Sequence, residues 1–465
     1  MFIEVNEIKS FIINIDGFLG LKEWPIFDRS FVWATIDINN IEQVEILPEF
    51  IKLIEIIGKN YPFRIVSKLS QSQVEKILSN NSVTIPADSL FVANPENDLE
   101  KGIWFFEVIK KARDSMGVLS CCCVYLSADS STIEAAIKMH LGTMVLRYKT
   151  EDLLIEEKIY KSGPDFILED PKDVEDIISK KFVGYLAEYH SCPYHMRQAI
   201  SQSHSQLVQF LTIPNIAIPE ERILVTGRYF PKDDYRHFKH SLSVRLSNSK
   251  NYPERHEKAF AHIIKRSANL VSGNDYDLIT CVPPKPSQKE NRIKMFLDCI
   301  FKTDEAFDKT KVATDILTCV RDYQKQSQAG SYLDRKRNVE GVFRVEKNVA
   351  GKKIVVVDDI ATSGATLFEI TKILRNANCA KVYPVALAFT PSAKIIEKPP
   401  DLKCGSCEGY FTPRCERKNG DVFWGCSKYE DGCRSLLKFE KGLLKLNESS
   451  SLVQEETGDE IDISF

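Results

Sequence analysis

Apolar positions along this chain fall into short β-branched runs separated by stretches with helical spacing. The clearest run is Lys353 to Val357, a short apolar, β-branched stretch of the kind shown by a strand covered on both faces. It leads into Asp358 and Asp359, then the small residues Thr362, Ser363 and Gly364. From Ala365 to Asn376, Leu367, Ile370, Ile373 and Leu374 recur at helical spacing, with Asn378 as the stop. Val382 to Phe389 reads as a second strand, which completes a βαβ unit with its loop at the carboxyl end of a parallel strand. Adjacent residues of a strand point to opposite faces, so both acids can meet one ligand only if the chain bends there. Thr362 to Gly364 is expected to supply the bend, and amides at the helix start suit a phosphate. The acids cannot hold phosphate directly and suit sugar hydroxyls or magnesium.

The same pattern extends to both sides of this unit. Between Met1 and about Lys180, strands and helices alternate. Phe11 to Ile15 runs into Asp16 and Gly17, Phe63 to Val66 ends in Ser67, and Val124 to Leu126 leads to Asp129 and an alanine-rich helix. A helix is expected from Lys101 through Trp104, Phe105, Val108 and Ile109, and Gly163 to Leu168 followed by a helix closes the segment. Val118 to Val124 places Cys121, Cys122 and Cys123 in a core strand without a metal. Further on, Tyr185 to Phe210 is expected to be helical, and its His190, Cys192, His195 and His204 match no metal-ligand spacing. Asp277 to Val282 is another buried-type strand, ending in Pro283-Pro284-Lys285-Pro286. Arg321 to Phe343 is polar and basic, and is expected to be a mobile excursion that orders over a substrate.

Composition narrows the classes. The 465 residues suggest about three domains, and 43% hydrophobic content suffices for packed cores. A net charge of −3 gives no global argument for a nucleic-acid partner. No apolar run approaches the ~18 residues of a membrane helix, and the N-terminus has no signal-peptide pattern, so no membrane association and a cytoplasmic location are expected. The 13 cysteines agree: the count is odd, and several crowd the C-terminus in metal-like spacing. Those are Cys404-x2-Cys407 and Cys426-x6-Cys433, with Cys415 outside the pairs as an expected free thiol. The serine-rich acidic tail after Glu448 is expected to be disordered.

Three resemblances follow from these residues. The strand, the paired acids and the T-S-G-A-T turn resemble the signature of type I phosphoribosyltransferases. That resemblance implies Asp358 and Asp359 on the ribose of phosphoribosyl diphosphate, with magnesium, and Thr362, Ser363, Gly364, Ala365 and Thr366 around its 5′-phosphate. Lys285 would then face the diphosphate. R-x-x-N-V-x-G-x-F from Arg335 is similar to the ComF-like branch, which puts Arg335 and Asn338 on a closing flap with Gln328 near by. The stretch Gln288 to Lys294 departs from the arginine-glycine-phenylalanine-asparagine motif usual there, and the acceptor is left unassigned. Residues 1–180 resemble a haloacid-dehalogenase-type (HAD-like) phosphatase, with Ser67, Lys101 and Asp129 in the order such enzymes use. Its nucleophile position is Asn14, and a carboxamide is a poor nucleophile, so a degenerate module is expected. The four cysteines and Phe423, Trp424 and Tyr429 resemble the zinc ribbon appended to bacterial type I topoisomerases. That implies zinc on Cys404, Cys407, Cys426 and Cys433, and leaves open whether the ribbon stacks single-stranded DNA, with Arg414, Arg417, Lys418, Lys428 and Arg434 close by, or only staples a small core.

The expected architecture is α/β: a HAD-like Rossmannoid domain over 1–180, a ComF-like parallel-sheet phosphoribosyltransferase domain over 181–398, a zinc ribbon over 402–445 and an acidic tail over 446–465. Two functions are compatible with it. One is a phosphoribosyltransferase; the other is a non-catalytic regulator or single-stranded DNA-binding protein, in DNA uptake or a stress response, that keeps the pocket as a sensor. The oligomeric state is left open.

Overall fold

The computed structural model describes residues 8–21, 41–86, 88–92, 104–118, 122–147, 153–178, 182–191, 206–209, 211–215, 218–232, 234, 236–237, 240–288, 290–303, 307–324, 332–392, 404–409, 411–415, 422–429, 431–440 and 443–446. The chain divides into two units, the first Met1–Gly184 with Ile200–Leu207 and Ser392–Ile395, the second the remainder.

In the first unit the β-branched runs become β1 (Ser10–Asn14), β2 (Phe63–Ser67), β3 (Leu90–Val92), β4 (Cys123–Ser127), β5 (Gly142–Leu146) and β6 (Phe166–Leu168). They form one sheet in the order β3-β2-β1-β4-β5-β6, parallel throughout. Every residue of β1, β4 and β5 is buried, as suits their largely apolar sequences. The order reverses at β1, whose neighbours are β2 and β4, so the carboxyl ends of these three strands flank a switch point of the kind where open α/β sheets hold ligands. Cys122 and Cys123 are buried free thiols, as expected for core residues; Cys121 and Lys101 lie outside the described residues.

The second unit is built on β7 (Leu211–Asn215), β8 (Ile218–Val225), β9 (Leu278–Cys281), β10 (Lys353–Ala361) and β11 (Lys381–Phe389), in the order β7-β8-β11-β10-β9. Only the β7–β8 pair is antiparallel. Helices α1 (Ser241–Asn248), α2 (Arg292–Thr303), α3 (Tyr332–Val339) and α4 (Ala365–Asn376) connect these strands. Phe260 and Phe296, fully buried with ring centroids 4.9 Å apart, anchor the core that also holds Val355, Val357 and Val385.

Two expectations are corrected. The strand expected to end at Val357 continues to Ala361, because its ladder with β11 runs on through Asp358↔Ala386 and Ile360↔Ala388. The acids therefore lie within the strand, and the chain turns only after them. Tyr185 to Phe210 is not one helix: Leu186–Ser191 is helical and Gln206–Gln209 is a strand, while Cys192, His195 and His204 lie outside the described residues. The excursion expected over Arg321 to Phe343 is framed by the antiparallel pair Leu317–Cys319 and Phe343–Val345, with α3 between them; Gln328 lies outside the described residues. Among the described residues, no helix is long and apolar enough to cross a membrane.

The turn after β10 depends on one glycine. Gly364 has φ 74°, and a Cβ there would lie 2.4 Å from Ile223 Cδ1 and 2.9 Å from Phe368 Cε2. Gly364→Ala should therefore destabilise the second unit by about 2–4 kcal/mol, through left-handed strain and overpacking. Denaturant melts would show this, and an unchanged midpoint would contradict it.

Candidate functional site

Residues 354–357 are buried in the middle of the second unit's sheet, and the next residue carries a carboxyl group. Burial pushes Asp358 up to about 7, against the pull of the Arg292 guanidinium. Asp358 accepts the amide of Asp359 at 2.9 Å, and Asp359 accepts that of Ile360 at 2.7 Å. Asp359 also forms an ion pair with Arg292. Past the acids, Ser363 and Thr366 are buried at the start of α4. The N-cap residue of this helix is Gly364, which has no side chain to offer; the Ala365 amide donates to Ser363 Oγ at 3.5 Å, and the helix start suits an anion.

Arg292 is a site residue that the sequence reading missed. It opens α2, and the residue before it anchors the helix start. Asn291 Nδ2 donates to Val282 O at 3.1 Å, while its Oδ1 accepts the amides of Ile293 and Lys294 at 3.0 and 3.4 Å. Asn291 is thus an N-cap tied to the end of β9. The available signal was an asparagine directly before an apolar periodic stretch, in the very segment that departs from the expected motif.

Lys285 lies in the loop after β9, whose Val282 amide donates to Val357 O at 3.0 Å. Its Nζ donates to Tyr323 O at 2.5 Å and sits 4.1 Å from the centre of the Tyr323 ring. Ser287 adds bonds to Asp322 of 3.2 Å from its amide and 2.9 Å from its hydroxyl. The loop is therefore joined to the base of the excursion. Tyr323 is pushed up beyond its usual range by burial and by the charge of Asp358, so Lys285, Tyr323 and Asp358 form one neighbourhood. Asn338 exchanges bonds of 2.9 and 3.0 Å with the backbone of Gln324, joining α3 to the same base. Arg335 lies half-buried on α3.

A second device fixes the neighbouring strand end. After β8, Arg228 donates to Glu188 through its amide, Nε and Nη2 at 3.0, 2.9 and 3.0 Å, and His240 Nε2 lies 3.3 Å away. All three residues are buried. Burial alone would raise Glu188, and the charges of Arg228 and His240 outweigh it, holding the carboxyl well below its ordinary range. Tyr229, next in the chain, donates its amide to Phe389 O at 2.7 Å at the carboxyl end of β11. Removing one partner of such a buried set costs about 3–5 kcal/mol. The network joins Glu188, Arg228 and His240 across the chain, a separation that no local pattern marks.

The four cysteines come together as their spacing suggests. Their sulfur atoms all lie within 4.8 Å of one another, with Cys404 and Cys433 3.7 Å apart and Cys407 and Cys426 3.3 Å apart. A tetrahedral ion with bonds of ~2.3 Å separates its sulfurs by about 3.8 Å, so the cluster can hold a metal ion. The amides of Gly409 and Lys428 donate to Cys407 and Cys426 at 3.3 and 3.4 Å, which favours thiolate ligands. Around the cluster, Phe411–Cys415, Val422–Cys426, Leu436–Glu440 and Leu443–Leu446 form an antiparallel sheet. Arg434 lies 4.1 Å over the Tyr429 ring. The side chains of Arg414, Cys415, Phe423 and Trp424, and residues Arg417 and Lys418, lie outside the described ones.

In the first unit, Asn14, Asp16, Ser67 and Asp129 gather at the switch point. Asp16 accepts the Ser67 hydroxyl and, at 2.8 Å, the amide of Lys68. Asn14 Nδ2 donates to Ser127 Oγ at 3.4 Å, and that oxygen accepts the amide of Asp129 at 2.9 Å. Burial pulls Lys68 down while Asp16 and Asp129 raise it, so Lys68 is a cation of this cluster that the sequence reading did not single out. Burial pushes Asp16 from 3.8 up to about 7. The folded state therefore keeps a proton that the unfolded chain releases; this contribution is fully present below the lower value and lost as pH rises through the upper one. Asp16→Asn, neutral throughout, should gain melting temperature over the unsubstituted protein between pH 5 and pH 8. Parallel pH profiles for the two proteins would contradict this.

With this geometry in place, comparisons can be made with known proteins. Residues 303–415 match the family model described as "Phosphoribosyl transferase domain", a span that includes α3, both acids and the turn but begins after Lys285 and Arg292. The DNA utilization protein YhgH of Escherichia coli (strain K12) is 44% identical over 56 residues, 12% of this chain and 25% of that protein. Its namesake from Salmonella typhi is 39% identical over 74 residues, 16% of this chain and 32% of that protein. The chain thus spans a quarter to a third of the length of these relatives. Among solved structures, a haloacid dehalogenase-like family protein from Streptococcus pneumoniae is 13% identical, covering 37% of this chain and 98% of its own, with a TM-score of 0.28. A putative beta-phosphoglucomutase from Thermotoga maritima is 11% identical, covering 37% and 97%, with a TM-score of 0.27. These scores are too low to carry an argument, and the α/β fold of the first unit stands on its own strand order. Over residues 303–415 this chain carries a phosphoribosyl transferase domain, set in a mostly parallel sheet that begins at Leu211.

Proposed function

We propose that the second unit binds phosphoribosyl diphosphate with magnesium and transfers or releases its phosphoribosyl group with loss of diphosphate, the acceptor remaining unassigned. The observation that carries this reading is the succession, on one strand, of two carboxylates at the mouth of the sheet and a helix start with glycine at its N-cap just beyond them. Asp358 and Asp359 would hold the ribose hydroxyls, and the amides from Ser363 to Thr366 would donate to the 5′-phosphate. Lys285 would face the diphosphate, and Arg335 would lie on the element that closes over it. The two acids offer the hard oxygen ligands that suit magnesium, which when bound adds charge stabilisation to the departing diphosphate. Breaking the bond at the anomeric carbon develops positive charge on the ribose, and the two carboxylates would stabilise it. Closure of α3 would exclude water, the competing acceptor.

The four-cysteine cluster is proposed to hold zinc, and the first unit to be a HAD-like module without covalent catalysis, because a carboxamide stands at position 14. The proposed domain limits are those expected above, with a cytoplasmic location. A second reading is a regulator or single-stranded DNA-binding protein that uses the phosphoribosyl pocket as a sensor. The Arg434–Tyr429 stack favours it, since a cation over an aromatic ring offers a base both stacking and charge. The DNA utilization proteins to which part of this chain is similar point the same way.

Titration calorimetry with phosphoribosyl diphosphate and magnesium should show one site per chain. Asp358→Ala should lose about 2–4 kcal/mol of that binding. Affinity should also weaken as pH falls through about 7, where Asp358 takes up a proton. Unchanged affinity in Asp358→Ala would contradict the pocket. Diphosphate release across a panel of bases and amines separates enzyme from sensor, and anisotropy with single-stranded DNA tests the ribbon in Trp424→Ala. Metal analysis should find one zinc per chain, lost in Cys404→Ser; retention of zinc would contradict the cluster assignment.

A further inference from the structure

Glu369 is an acid in the middle of α4 whose side chain is only 8% exposed. A carboxylate in such a place needs donors. Among the described residues it has two. The Gly341 amide donates to its Oε1 at 3.2 Å, and Lys372 Nζ, on a half-exposed side chain, lies 3.5 Å from its Oε2. Lys372 belongs to the same helix, so the Gly341 amide is the donor that comes from elsewhere. Gly341 stands two residues past the end of α3 with φ 64°, in the left-handed turn by which a chain commonly leaves a helix. The carboxylate therefore holds the C-terminal end of the element that carries Arg335.

That end is fixed from other sides as well. Arg321 Nη2 donates to Glu340 O at 3.0 Å, and Val339 and Val342, which flank Glu340 and Gly341, are fully buried. α3 packs against α4 itself. On α4, Thr366 and Glu369 are three residues apart, which places them on one face of the helix, and both are buried. Thr366 belongs to the first turn, whose amides meet a phosphate in the reading above. A group bound there and the end of α3 thus bear on one helix a single turn apart. That turn is bonded in series, with Phe368 donating its amide to Gly364 O at 2.9 Å and Thr371 Oγ1 donating to Leu367 O at 2.8 Å. Ordering of the first turn is therefore passed to Glu369, and through its carboxylate to Gly341.

We propose that Glu369 is a positioning residue of this site: it ties the end of α3 to the phosphate turn, so that filling the turn with a phosphate steadies α3. A 5′-phosphate would thus act on the closing element as well as anchoring the ligand, and a sugar without one would leave α3 as it is in the free protein. This rests on the phosphoribosyl reading above and adds to it the group through which ligand and closing element are coupled.

Amide hydrogen exchange with ribose 5-phosphate and magnesium reads the coupling, and calorimetry reads the binding. With the ligand bound, residues 332–343 of the unsubstituted protein should exchange about threefold or more slowly, and ribose without phosphate should leave them unchanged. Glu369→Ala should bind ribose 5-phosphate within about threefold of the unsubstituted protein and yet lose the slowing at 332–343. Glu369→Gln keeps an oxygen that accepts the Gly341 amide and should retain the slowing, which separates the hydrogen bond from a general effect of the charge. Full slowing in Glu369→Ala, a loss as complete in Glu369→Gln, or binding and slowing lost together in both variants would overturn the role. If Glu369→Ala does not fold, Glu369→Asp, whose shorter side chain withdraws the oxygen, takes its place under the same criteria. Failure of the unsubstituted protein to bind ribose 5-phosphate removes the phosphoribosyl reading itself; binding that slows exchange at 358–366 and not at 332–343 removes only the role of Glu369.

Discussion

A strand buried on both faces delivers two carboxylates to the carboxyl end of a sheet, and the second unit is organised around meeting that demand. Residues 354–357 are fully enclosed between β9 and β11, and Asp358 follows with no apolar residue between. A carboxylate at such a place must find donors or stay protonated. Asp359 finds Arg292, which α1 and Asn291 hold in place. Asp358 accepts a single amide, and burial raises it to about 7. The same demand recurs at the neighbouring strand end, where a buried Glu188 is matched by Arg228 and His240. In both places a carboxylate, Asp359 and Glu188, is met by an arginine from a distant part of the sequence.

Local order was legible in the sequence, and the partners of the acids were not. The βαβ unit, the helix from Ala365 to Asn376 and the left-handed Asn378 that ends it follow from periodicity and stop signals. The four cysteines converge as their spacing implies. Polarity marks the end of β10 in the sequence, whereas pairing with β11 continues the ladder through the acids. Arg292, Arg228 and Lys68 escaped notice for a common reason. Each matters through a partner far away in sequence, and charged residues near loops are ordinarily solvated. The segment from Gln288 to Lys294 departs from the motif usual in the family it resembles. In the structure that same segment supplies the N-cap and the cation of the site.

The two units present contrasting outcomes of similar architecture. Each places polar residues at the carboxyl ends of central parallel strands. In the first unit Asn14, Ser67, Ser127 and Asp16 bond mainly to one another and to adjacent backbone. In the second unit the acids face a turn with glycine at the N-cap of the helix. Self-satisfied polar groups stabilise a fold and bind little, whereas donors left without a partner favour an incoming anion. That contrast, more than the fold of either unit, is why the proposed chemistry lies in the second.

Amide hydrogen exchange with phosphoribosyl diphosphate and magnesium tests the central claim most directly, because it locates the ligand without assuming an acceptor. The account predicts slowed exchange in peptides spanning Asp358 to Thr366 and in those spanning Val282 to Arg292, with no change across Ser10 to Asp16 or Cys404 to Cys433. Protection confined to the first unit or the cysteine ribbon, or no protection at saturating ligand, would contradict it.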